Sequence, residues 1–117
     1  MPRTVLVVDD DRDTADTLVA LLGLHGYAAT PAYSAEDALR QATTHPPDAV
    51  VSDLWMSTDG CELARELVAV LTHRPLLVAV TGVYGADERC RQAGYDHVLL
   101  KPADPSLLAA LLAAPAN

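Results

Sequence analysis

The 117-residue chain reads as an α/β domain, a doubly wound five-stranded parallel sheet in the order 2-1-3-4-5, and three observations predict it. Five apolar runs alternate with five amphipathic runs through short connections, which is the pattern of repeated βα units. Four of the apolar runs are hydrophobic throughout instead of every second residue, as strands are when helices cover both faces of a parallel sheet. The remaining run, YAATPA, contains Pro31, which removes a ladder donor and puts that strand at an edge. An edge second strand fits the order 2-1-3-4-5, whose crevice opens at the carboxyl ends of strands 1 and 3.

The elements follow in order. A strand over 4–8 leads into a helix over 12–25, with Asp11 as N-cap, Leu18, Leu21 and Leu22 at helical spacing, and Gly26 to end it. The edge strand spans 27–32, and Ser34, followed three residues later by Asp37, caps a helix over 35–44. A strand over 49–52 precedes a helix over 60–72 carrying Leu63, Leu67 and Val70. A fourth strand spans 76–80, and its helix over 86–93 stops at Gly94. The last pair is a strand over 97–100 and a helix over 105–114, opened by Asp104 as N-cap and Pro105 at the first helical position. On that helix Leu107, Leu108, Leu111 and Leu112 are expected to cover one face, leaving Ala109, Ala110, Ala113 and Ala114 on the other. No charged residue occurs from 105 to 117, so the uncharged face is expected to meet a partner, a homodimer through the last helix being one form.

Composition narrows the function. The length suits one domain over 1–117, and a 50% hydrophobic content suffices for a single core. A net charge of −8 argues against direct binding to nucleic acid or anionic membrane, both of which need a basic surface. No apolar run approaches the ~18 residues of a membrane span, and the N-terminus MPRT lacks a signal-peptide core, so a cytoplasmic location is expected. Cys61 and Cys90 have no zinc-like spacing and are expected to be buried free thiols. His25, His45, His73 and His97 lie far apart and are not spaced as a metal or catalytic pair.

Chemistry gathers where the strands end. The stretch TVLVVDDDRD places four carboxylates within five positions directly after the first strand, a costly arrangement unless a cation resides there. Asp9 and Asp10 follow VLVV, Asp53 follows AVVS, Thr81 follows LLVAV, and Lys101 follows HVLL. Lys101 is the only lysine in the chain and is followed by Pro102. In the predicted topology all of these stand at one edge of the sheet. Asp11 is needed as the cap, which leaves Asp9, Asp10 and Asp53 to hold a divalent metal with Lys101 as a second cation. An oxygen-only donor set suits Mg²⁺ or Mn²⁺ over zinc. A carboxylate can attack a phosphoryl group in line when metal and lysine neutralise its equatorial oxygens, and Asp53, on the central strand, is placed to be that nucleophile.

The set VVDDD, VVSDLWM, VAVTG and LLKP, in this order and at these strand ends, resembles the receiver domain of two-component response regulators over essentially the whole chain. The resemblance implies the flavodoxin-like (βα)5 fold shared with the CheY-like superfamily. It also implies a role for each matched position. Asp9 and Asp10 are similar to the Mg²⁺-holding acidic pair, Asp53 to the phosphoacceptor, and Trp55 to the residue whose backbone carbonyl completes the metal shell. Thr81 resembles the switch hydroxyl, and Lys101 the lysine that binds the phosphoryl group, with a cis bond to Pro102. Two departures stand out. Where the family commonly reads D-x-x-M-P-x-x-D-G, the chain reads DLWMSTDG from Asp53 to Gly60, without the proline and one residue shorter. Val98 occupies the position three before Lys101 at which many members carry an aromatic that swings inward.

The leading expectation is a phosphorylation-switched signalling module. It would take a phosphoryl group from the phosphohistidine of a sensor histidine kinase or phosphotransfer protein, present a changed surface to a downstream protein or linked domain, and hydrolyse its own acyl phosphate. It would not be an enzyme toward a separate substrate. Two alternatives remain at this stage: a pseudo-receiver that binds partners without phosphotransfer, and a Mg²⁺-dependent hydrolase on the same fold.

Overall fold

The computed structural model describes residues 3–56 and 59–113. Its elements are β1 (Thr4–Val8), α1 (Arg12–Leu24), β2 (Ala28–Ala32), α2 (Ala35–Thr44), β3 (Ala49–Asp53), α3 (Gly60–Val70), β4 (Leu76–Thr81), α4 (Asp87–Ala93), β5 (His97–Leu100) and α5 (Pro105–Ala113). Ala114, Ser57 and Thr58, which the sequence reading assigned to the last helix and to the loop after β3, lie outside the described residues. All four strand pairings are parallel and the order is β2-β1-β3-β4-β5, with proline-bearing β2 at an edge as expected.

Successive side chains of a strand leave by opposite faces, so each strand feeds two cores. Val5, Val7, Val51, Val78 and Val80 pack with Ala15 and Leu22 of α1 and with Leu108 and Leu112 of α5. Leu6, Val8, Val50, Leu77 and Ala79 pack on the other face against Ala38 of α2, Leu63 and Leu67 of α3, and Cys90 of α4. Burying one such leucine contributes about 1.5–3 kcal/mol, and five helix leucines, Leu22, Leu63, Leu67, Leu108 and Leu112, are fully buried. Cys61 and Cys90 are buried free thiols, as expected. Burial pushes the Cys90 thiol up to about 11, and the Cys61 thiol beside it adds to the rise, so Cys90 does not behave as an exposed reactive group.

The helix ends obey local chemistry. Asp11 accepts from the amides of Asp13 and Thr14, Ser34 from that of Asp37 at 3.0 Å, and Asp104 from that of Ser106 at 2.9 Å. Gly26 and Gly94 leave α1 and α4 with φ of 90° and 117°, a region that disfavours residues with a Cβ. β3 and β4 each run one residue further than their apolar pattern, because Asp53 and Thr81 stay in the ladder opposite Val80 and Leu100. Tyr27 belongs to the turn and not to β2, its amide donating to the Leu22 carbonyl.

Two expectations need correction. HVLL is apolar throughout, yet β5 is only half-buried, because it pairs with β4 alone and forms the far edge of the sheet. On α5 the leucines do not share one face: Leu108, Ala109 and Leu112 are buried, whereas Leu107 and Ala110 are exposed. The reason is local. Leu108 and Leu112 lie one turn apart, and the small Ala109 beside them lets the Tyr27 hydroxyl donate to its carbonyl at 2.7 Å. Among the described residues no helix is long and apolar enough to cross a membrane.

Candidate phosphoacceptor site

Strand parity builds the site. Asp9 continues the face of Val5 and Val7, Asp53 that of Val51, and Lys101 that of Leu99, so all three rise over the side covered by α1 and α5. Thr81 follows Val80 and takes the opposite parity. Carboxylate oxygens of Asp9, Asp10 and Asp53 lie within 4.8 Å of one another, Asp10 being exposed and the other two buried. Lys101 Nζ stands 3.3 Å from Asp53 Oδ2 and 3.7 Å from Asp9 Oδ2.

Backbone amides hold the two buried carboxylates. Asp9 Oδ1 accepts from the Asp11 amide at 3.0 Å, and Asp53 Oδ1 accepts from the Trp55 amide at 3.1 Å. Asp53 thus has one oxygen on an amide and the other facing the ammonium. The exposed cap Asp11 turns the chain into α1 and leaves Asp9 and Asp10 directed at the edge. Burial, foremost, raises the Asp9 carboxyl above the usual carboxylate range; the Asp11 amide opposes that rise and the Asp53 charge adds to it. A raised acid favours the fold at low pH, and that gain disappears as pH climbs through the folded-state value. At neutral pH the Asp9 charge therefore works against stability.

Three carboxylates face one lysine, so the cluster carries a net excess of negative charge. Two unit charges ~5 Å apart repel by about 3 kcal/mol at an effective dielectric near 20. An oxygen-only set of this charge and spacing fits a hard divalent cation.

Thr81 is fully buried and its side chain is not among the contacts that gather the cluster. Its hydroxyl accepts from the Val83 amide at 3.1 Å, while its carbonyl accepts from the Lys101 amide at 2.8 Å, so Thr81 reaches the site through backbone. The Lys101–Pro102 peptide is cis. Trp55 is 57% exposed on the loop above Asp53. A cleft of about 610 Å³ runs from Asp9, Asp53 and Lys101 between α1 and the start of α5, walled by Leu18, Leu21 and Ala103.

Two contributors escape a reading of the strand ends. Gly60, the first residue of α3, lies so close to Asp53 that a Cβ there would stand 2.7 Å from the Asp53 carbonyl oxygen and 2.8 Å from Leu54 Cα. Glycine is a poor helix former, and its place at a helix start was the available signal. The buried Tyr95 hydroxyl donates to the Gly60 carbonyl at 2.8 Å, a contact across 35 positions that no local pattern marks.

Fold and edge together define a doubly wound α/β module with three carboxylates and one lysine gathered at the carboxyl ends of its strands. The family model of the response regulator receiver domain matches residues 5–113. Response regulator MprA of Mycolicibacterium vanbaalenii is 38% identical over 105 residues, covering 87% of this chain and 45% of that protein. Transcriptional regulatory protein PrrA of Mycobacterium tuberculosis is 38% identical over 104 residues, covering 86% and 44%. Among solved structures, the receiver domain (CheY-like) from Methylobacillus flagellatus superposes with a TM-score of 0.86 at 30% identity, over 96% of this chain and 97% of that one. A Burkholderia pseudomallei response regulator, solved with a phosphorylated aspartic acid, calcium ion and citrate, gives 0.86 at 26% identity, over 94% and 66%. The chain belongs to the response regulator receiver domains, the regulatory modules of two-component systems that interact with histidine kinases. It spans 45% of the length of the MprA protein it matches.

Proposed function

We propose that this receiver, taken as one domain over 1–117, accepts a phosphoryl group on Asp53 from a phosphohistidine of a partner kinase or phosphotransfer protein. The observation that carries the reading is the setting of Asp53: a Trp55 amide on one oxygen, the only lysine 3.3 Å from the other, and two further carboxylates within 4.8 Å. An Asp53 oxygen forms the new bond to phosphorus while the phosphorus–nitrogen bond breaks and its electron pair leaves with the imidazole. Asp9, Asp10, Asp53 and the backbone carbonyl of Trp55 would hold Mg²⁺ or Mn²⁺. When bound, the ion supplies positive charge to the phosphoryl oxygens. Lys101 neutralises the same oxygens from the β5 side, and the Thr81 hydroxyl exchanges its Val83 amide for the phosphoryl group. The acyl phosphate is later lost to water, which resets the switch.

The exposed Trp55, Val83 and Tyr84 stand on the loops that follow β3 and β4 and, with the apolar cleft wall, suit docking of a protein instead of a small substrate. Output passes to a downstream protein or a linked domain. The exposed Leu107 and Ala110 of α5, with Leu100 at the end of β5, support the proposal of a homodimer through the last helix. Sedimentation at increasing concentration checks this, and a strictly monomeric chain would count against it.

Incubation with a small phosphodonor and Mg²⁺ tests the reading directly: one phosphoryl group on Asp53, slowly lost, is the expected result. Trp55, the only tryptophan, supplies an independent probe. Mg²⁺ or Mn²⁺ should produce a saturable change in its emission and raise the melting temperature, because the cation removes repulsion among Asp9, Asp10 and Asp53. Asp10→Asn should weaken the response strongly, and high monovalent salt only modestly, since coordination outlasts screening. Silence in both fluorescence and calorimetry would remove the metal site.

A further inference from the structure

Tyr95 follows Gly94, the C-cap of α4, and its ring is 4% exposed. A buried tyrosine differs from phenylalanine by a hydroxyl that must find a partner. Here that partner is the Gly60 carbonyl, 2.8 Å away, in the first turn of α3. Gly60 in turn donates its amide to the Leu54 carbonyl at 3.2 Å and leaves no room for a Cβ against the Asp53 carbonyl. The Tyr95 hydroxyl therefore reaches the Asp53 backbone through Gly60.

The other end of Tyr95 is equally tied. Its amide donates to the Cys90 carbonyl of α4 at 3.0 Å, and the next amide, of Asp96, donates to the Leu77 carbonyl of β4 at 2.7 Å. Val98, packed against the same core, has no polar side-chain atom with which to make such a link.

We propose that Tyr95 is a positioning residue for the acceptor, its hydroxyl holding Gly60 and the end of β3 where phosphoryl transfer needs Asp53 and passing any shift of that loop into the junction of α4 and β5. The proposal rests on the phosphoacceptor reading of Asp53. Deleting the hydroxyl leaves the ring and the core intact, so its effect belongs to position and coupling.

The test compares wild type, Tyr95→Phe and Tyr27→Phe. Tyr27 makes the same kind of bond, to the Ala109 carbonyl at 2.7 Å, on α5. Each protein is labelled with acetyl phosphate and Mg²⁺, and amide hydrogen exchange over residues 90–97 is followed with and without beryllofluoride as phosphoryl mimic. Tyr95→Phe should label about fivefold more slowly, the fold-change that one neutral hydrogen bond represents. It should also lose the beryllofluoride-induced change in exchange that wild type shows. Tyr27→Phe should melt lower to a similar extent yet label and exchange as wild type does. Should Tyr95→Phe fail to fold, wild-type exchange carries the test: beryllofluoride should change exchange over residues 60–63 and 90–97 together, and a change confined to 60–63 overturns the brace. A wild type that labels, with Tyr95→Phe matching it in both readouts, overturns the brace alone. A wild type that takes no label overturns the phosphoacceptor reading and the brace with it.

Discussion

Replacing Asp53 by asparagine is expected to reduce phosphoryl labelling to background while leaving the fold intact. The amide keeps the shape of the carboxylate but is a poor nucleophile. Stability should hold or rise slightly, because a charge leaves a cluster in which three carboxylates face one lysine, and Lys101 keeps Asp9 at 3.7 Å. Thermal melting beside a labelling gel checks both halves, and wild-type labelling of the variant would exclude Asp53 as acceptor. Lys101→Ala should behave differently. It removes the ammonium 3.3 Å from Asp53 but none of the oxygens proposed to hold the metal, so labelling should slow by about 100-fold, the scale of losing one charge-stabilising group. The metal-induced change in Trp55 emission should survive. Loss of metal response with labelling intact would reverse the roles assigned to Lys101 and the aspartates.

Gly60→Ala is expected to destabilise the fold and slow labelling together. In an open helix the change stabilises by up to ~1 kcal/mol. At Gly60 the added methyl would meet the Asp53 carbonyl oxygen at 2.7 Å and Leu54 Cα at 2.8 Å, both backbone atoms that cannot rotate away. Overpacking of this kind costs about 1–3 kcal/mol. A fall in melting temperature on the order of 10 °C should accompany slowed labelling, because the clash displaces the Asp53 peptide. Gly23→Ala in α1 is the control: a Cβ there meets nothing within 4 Å, so the helix-propensity gain should appear unopposed. Equal effects at the two positions would show that packing against Asp53 does not matter.

Local causes are legible in the sequence and distant ones are not. Apolar runs, the caps Asp11, Ser34 and Asp104, and Pro31, which marks an edge strand, are local signals, and each element they mark is present in the expected order. The cluster of Asp9, Asp10, Asp53 and Lys101 was legible because parallel strands deliver their carboxyl ends to one edge. Parity was harder to see. A one-residue extension of β4 keeps Thr81 in the ladder and turns its hydroxyl to Val83, away from the contacts of the cluster. Leu107 was misplaced because hydrophobicity alone does not choose between neighbouring stripes of an all-apolar helix. Gly60 and Tyr95 act through close approach and a contact 35 positions apart, and neither leaves a periodic trace.

The ion pair between Asp9 and Lys101 joins residues 92 positions apart, from the first strand and the last. Such pairings form late in folding, after the closure entropy of the intervening chain has been overcome. Lys101 thus ties the two ends of the chain at one edge of the sheet, and the positive charge opposite Asp9 and Asp53 is in place only once β5 has joined β4. Under the proposed function, a chain that has not yet added β5 lacks the ammonium that would steady a phosphoryl group, and the site is complete only when the whole sheet is.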